Sequence, residues 1–143
     1  MKKSDKRWRQ SVHEAGHAVV GVALGCKFIN IVRYHGKHAR THLGVPTRNG
    51  AINEPDPVIL AVMTAAGAAA SFEYFGFSEG HQSDFHHNRL IGLKRVSLDL
   101  CGELARRMVR ENRSAITTVA RAFYKTDLLT KKAFNSLIVR KTR

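Results

Sequence analysis

His13-Glu14-Ala15-Gly16-His17 is an H-E-x-x-H pattern set in a helix-forming run from Trp8 to Leu24. Four residues make about one helical turn, so the two imidazoles project from one face. Histidines at this spacing can hold one zinc ion, and Glu14 beside them is placed to act as a general base. The flanks suit a buried metal helix. Val12, Ala15, Val19, Val20, Ala23 and Leu24 give an apolar surround, and Gly16 lets another element come close.

A catalytic zinc takes three protein ligands and keeps one position open for water. Candidates for the third ligand are Asp84, His81, His86, His87, Glu73 and Glu79, with the loop residues His35, His38 and His42. Asp84 stands out by position, because it follows a Gly/Ser/His loop and opens a helix, so the backbone can deliver its carboxylate. The same position suits an ordinary helix N-cap. His86 and His87 can ligate, or brace a ligand from behind.

The elements that must position these groups follow from pattern and punctuation. Helix one starts at Ser4 or Asp5, both good N-caps, and ends by Gly25. Lys27 to Tyr34 alternates and is expected to be a strand. His35 to Arg40 is a polar turn. Thr41 to Thr47 is a second short strand, which Pro46 confines to a sheet edge. Arg48-Asn49-Gly50 signals a turn. Pro55-Asp56-Pro57 opens a second helix that runs to Phe75 and stops at Gly76. Its middle, Ala65 to Ala70, is nearly all small residues, and helix one is its natural close neighbour. A third helix is expected from Ser83 or Asp84 to Arg110, and a fourth from Asn112 to Tyr124. Lys125 to Leu129 turns, and Thr130 caps a last helix with Phe134, Leu137 and Ile138 inward. The expectation is a single domain over residues 1–143, mainly α, with a small β hairpin or sheet between helices 1 and 2.

The composition agrees with one globular domain: 43% of the 143 residues are apolar. No apolar run is expected to reach membrane-spanning length, and no signal peptide is expected, because His13, Glu14 and His17 interrupt the first apolar stretch. Cys26 and Cys101 suit free thiols in a reducing, cytoplasmic setting. The net charge of +13 is uneven. Residues 1–12 carry five Lys/Arg against Asp5, residues 13–88 five against six acids, and residues 89–143 fourteen against four. The site segment is thus near neutral between two basic ends. Such ends suit an anionic partner, nucleic acid or a membrane surface, or simply a solvated arginine-rich face. Aromatic interleaving, zinc-finger spacing and a Gly-rich phosphate loop are all absent from the sequence.

His13-Glu14-Ala15-Gly16-His17-Ala18-Val19-Val20 resembles the active-site helix of FtsH-type zinc metallopeptidases, the protease domains of membrane-bound AAA+ proteases. Ala66-Gly67-Ala68-Ala69-Ala70-Ser71-Phe72-Glu73-Tyr74-Phe75-Gly76 is similar to that family's second helix, G-G-R-A-A-E-E-L-x-F-G. Gly80-His81-Gln82-Ser83-Asp84-Phe85 resembles its segment G-A-x-x-D-L, whose Asp is a zinc ligand. Ala105-Arg106-Arg107-Met108-Val109 resembles A-R-x-M-V, and Glu111 to Ala122 and Leu128 to Thr130 are similar to its C-terminal helices. By position, the resemblance implies His13, His17 and Asp84 as zinc ligands and Glu14 as the catalytic residue. Ala68 and Ser71 stand where the family has Arg and Glu, and no Walker A motif is present.

These features together lead to the expectation of an ATP-independent zinc metalloendopeptidase acting on unfolded or flexible polypeptide, resembling the peptidase domain alone. Thr41 to Thr47 is the expected peptide-pairing edge. Tyr34, His35, His38 or His42 can serve an oxyanion. A separate ATPase and a homo-oligomer are the partners the resemblance implies. The rival readings are a non-catalytic zinc-stabilised adaptor, and a nucleic-acid-binding protein using the basic C-terminal helices.

Overall fold

Asp5 starts the first helix, α1 (Lys6–Ala23): its carboxylate accepts from the backbone amides of Arg7 at 2.9 Å and Trp8 at 3.2 Å. In the computed structural model, residues 5–35, 37–50, 54–77 and 95–142 are described. The other carboxylate oxygen of Asp5 accepts from the Tyr124 hydroxyl at 2.6 Å, tying the start of α1 to the far end of the chain. Gly25 ends the helix with φ +96°, a left-handed turn that glycine takes without strain.

β1 (Lys27–Tyr34) lies where its alternation put it. A bulge between Phe28 and Asn30 resets its phase, so Phe28, Ile31 and Arg33 face inward. β2 (His38–Gly44) begins three residues earlier than expected. The expected polar turn from His35 to Arg40 gives way to strand from His38 onward, with His35 at φ +52° and the Lys37 amide donating to the Tyr34 carbonyl at 3.0 Å. Cross-strand pairing from Tyr34–His38 onward won over local polarity. Pro46 lies past the strand's end. A third strand, β3 (Leu128–Thr130), pairs with β1 where the sequence pointed only to a turn. The sheet is antiparallel in the order β2-β1-β3, so β2 is an outer strand.

α2 (Pro57–Phe75) is capped by Asp56 and closed by left-handed Gly76 as expected. Its small residues let it lie directly on α1: a Cβ added to Gly16 would stand 2.7 Å from both the Ala66 carbonyl and the Ala70 Cβ. One expectation needs correcting. α2 is long and apolar enough to cross a membrane by length and composition, with mean hydropathy 1.6, because only Glu73 breaks the run. In this fold half of it is buried, chiefly against α1 and the helix Arg95–Glu111.

α3 (Arg95–Glu111) ends one residue past the expected Arg110, and α4 (Arg113–Tyr124) ends at Tyr124 as expected. The expected start of α3, at Ser83 or Asp84, lies outside the described residues. α5 (Lys131–Thr142) is capped by Thr130, whose hydroxyl accepts from the Ala133 amide. Phe134 stacks on Phe28 with ring centres 3.9 Å apart, while Leu137 and Ile138 are only half-buried. The core gathers Val12 and Val20 of α1, Ile31, Val62, Val109, and Ile116, Val119 and Phe123 of α4. The fold is mainly helical with one small sheet, as expected. Cys26 and Cys101 are buried free thiols whose pKa values burial pushes up.

Arg33 is the unexpected core residue. Its side chain is fully buried, and it donates to Gln10, to the Ser11 hydroxyl and to the Phe123 carbonyl. Its guanidinium lies 4.2 Å above the Phe123 ring. It also meets Asp127 at 3.4 Å, so one cation joins α1, β1, α4 and the turn before β3.

Candidate metal centre

α1 delivers His13 and His17 to one face, and their Nε2 atoms lie 3.1 Å apart. His17 Nδ1 is 2.8 Å from the Met63 carbonyl oxygen. A carbonyl only accepts, so Nδ1 carries the proton and Nε2 keeps its lone pair. Zinc bonds of about 2.0–2.1 Å at a tetrahedral angle set two ring nitrogens about 3.3 Å apart. The spacing found is therefore close to that of two ligands sharing one ion.

The space between the two nitrogens is kept by α2. A Cβ on Gly67 would stand 2.4 Å from His17 Nε2 and 2.7 Å from His13 Nε2. Only a residue without a side chain leaves the space beside both ring nitrogens unfilled. The donor set thus fits a metal ion, and ligand atoms of His13, Glu14 and His17 all lie within 4.8 Å of one another.

Glu14 is buried, with one carboxylate oxygen 3.8 Å from His13 Nε2. Thr41 of β2 holds it: the Thr41 hydroxyl lies 2.9 Å from the Glu14 carboxylate and 3.0 Å from its backbone carbonyl. Thr41 and Gly67 are site residues that the sequence reading missed, because each arrives from another element through packing. On the peptidase reading proposed below, Thr41→Val is expected to retain zinc and cut peptide turnover about tenfold, with Thr41→Ser close to wild type. Steady-state kinetics on the two variants checks this, and equal rates for Val and Thr would contradict it.

Burial, then the neighbouring charge of His17, push His13 down to about 3, with its hydrogen bond to the Gly67 backbone pulling the other way. It therefore stays neutral at pH 7, the form that can ligate a metal ion. An unfolded chain protonates His13 near its ordinary 6.5, whereas the folded metal-free chain resists until about 3. Stability is then fully present above pH 6.5 and falls as the pH drops from there toward 3. In chelator, the urea midpoint is expected to be lower at pH 5 than at pH 7.5, and His13→Asn should narrow that gap.

The site opens into a cleft of about 1030 Å³ between α1, α2 and β2. His38 and His42 line it, but His42 turns to Asn30 on β1, at 2.7 Å. His35 and Tyr34 lie exposed at the hairpin turn, and Glu73 is paired with Arg110 at 2.9 Å. Asp84, His81, His86, His87 and Glu79 lie outside the described residues. Among the described residues, Glu14 is the one further His, Cys, Asp or Glu that joins the two histidines. No protein-family model matches this chain, and no curated protein matches its sequence.

Proposed function

We propose that this chain is a zinc metallopeptidase of the FtsH type, hydrolysing peptide bonds in unfolded or flexible polypeptide. The observation that carries the reading is the convergence of His13 and His17 Nε2 on a gap kept by Gly67, with the buried Glu14 carboxylate beside it at the floor of an open cleft. A purely structural metal has no use for that carboxylate. His13 and His17 would hold zinc, and the resemblance gives the third ligand to Asp84. Zinc held there acidifies water and polarises a carbonyl.

The chain's own groups do the rest. Glu14 accepts the proton of the attacking water and passes it to the leaving amine. The Thr41 hydroxyl fixes the carboxylate in the conformation that faces the histidines. β2, an outer strand on the rim of the cleft, can pair with an extended peptide through its main chain, which binds with little regard to sequence. The test is cleavage of unfolded casein by zinc-loaded protein. Activity that is lost in a chelator and restored by zinc supports the reading. A zinc-loaded protein that leaves casein intact contradicts it.

A further inference from the structure

The cleft has two chemically different ends, and the path of β2 fixes which is which. Gln10 on α1 donates to the Lys37 carbonyl at 2.9 Å. One turn further along the helix, Glu14 meets Thr41. Two turns beyond that, a Cβ on Gly21 would touch the Leu43 side chain at 2.5 Å. α1 and β2 therefore run side by side in the same direction, with the metal-binding face midway.

Lys6 and His38 line the end at the start of α1, and Arg40, one residue before Thr41, stands between that end and Glu14. Leu43, Leu60 and Met63 line the other, and Met63 is anchored there by His17. Glu14 is the sole carboxylate among the described residues lining the cleft. The sequence carries no acid between Glu14 and Glu54, against five Lys/Arg. Asp5, next to Lys6, is already engaged by the amides of α1 and by Tyr124. Lys6 and Arg40 are exposed and in no ion pair among the described residues.

Resting on the peptidase reading above, we propose that the cleft selects polypeptides that are acidic on one side of the cleaved bond and apolar on the other. Lys6 lies two helical turns from Glu14, about 12 Å along the axis. An extended peptide advances about 3.3 Å per residue. Acidic residues therefore belong on the side of the cleaved bond toward Arg40, out to about three to four positions from the bond at Lys6. A large apolar side chain belongs next to the bond on the opposite side, against Leu43 and Met63. A nucleic acid satisfies the first end and not the second, because Leu43, Leu60 and Met63 offer neither a cation nor an aromatic face for stacking.

The experiment uses zinc-loaded Glu14→Gln protein, which holds peptide without turning it over. The probes are fluorescein-labelled dodecapeptides sharing an Ala-Phe-Leu centre, with one flank of Glu, Ser or Lys. The Glu peptide is expected to bind at least about tenfold more tightly than the Lys peptide at low salt, and the ratio should shrink in 0.5 M NaCl. Adding Lys6→Glu and Arg40→Glu should abolish or invert it. Lys6→Glu places an acid in the first turn of α1, which favours the helix, and Lys6→Gln with Arg40→Gln gives a second, milder pair. Equal binding of the three peptides, or a ratio unchanged in both pairs, would overturn the proposal. Wild-type protein on the Ser peptide tests the chemistry separately: preferential binding without any cleavage sinks the peptidase reading and leaves the cleft's ligand class standing.

Discussion

Gly67→Ala is expected to give a folded protein that has lost zinc. Its new methyl group would stand 2.4 Å from His17 Nε2 and 2.7 Å from His13 Nε2, in the space a metal with bonds of about 2.0–2.1 Å needs. Either the imidazoles swing away or α2 backs off α1; in both cases the two Nε2 atoms no longer share the gap beside residue 67. Alanine is the better helix former by about 1 kcal/mol, so helix propensity works against any unfolding. Zinc affinity should fall at least about 100-fold, read by competition against a chromophoric chelator, with circular dichroism reporting that the helices remain. Wild-type affinity in Gly67→Ala would mean that the ion is held elsewhere.

Glu14→Gln should do the opposite, keeping zinc and losing turnover. Glutamine has the same shape and still offers Thr41 an oxygen, so the 2.9 Å hydrogen bond survives. It cannot accept the water's proton. General-base catalysis contributes about 10²–10⁴-fold, so casein cleavage is expected to fall by about 10³-fold at unchanged zinc content. A variant that cleaved casein at the wild-type rate would remove Glu14 from the mechanism.

The His13-Glu14-His17 group, which could hold a metal ion, was legible because it is local. His13, Glu14 and His17 occupy one turn and its neighbour, and helical geometry alone puts the imidazoles on one face. The caps Asp5 and Gly76 were equally legible, each acting on amides or carbonyls a few residues away. What escaped depends on which elements meet. The small residues of Ala65 to Ala70 announced a close approach, but not that Gly67 would face the imidazoles. Thr41 reaches Glu14 only because β2 starts at His38 and runs beside α1, a register set by pairing with β1. β3 escaped because three residues carry no readable period. Arg33 escaped because a bulge turned a cation inward against the strand's alternation. Asp84 lies outside the described residues, and its role as a ligand rests on the resemblance.

Zinc per chain in the wild-type protein, measured by atomic emission after reconstitution and desalting, tests the central claim most directly. The convergence of His13 and His17 on the gap beside Gly67 predicts about one ion per chain. No retained zinc would contradict it, and would leave H-E-x-x-H as two core histidines and a buried carboxylate on an ordinary helix.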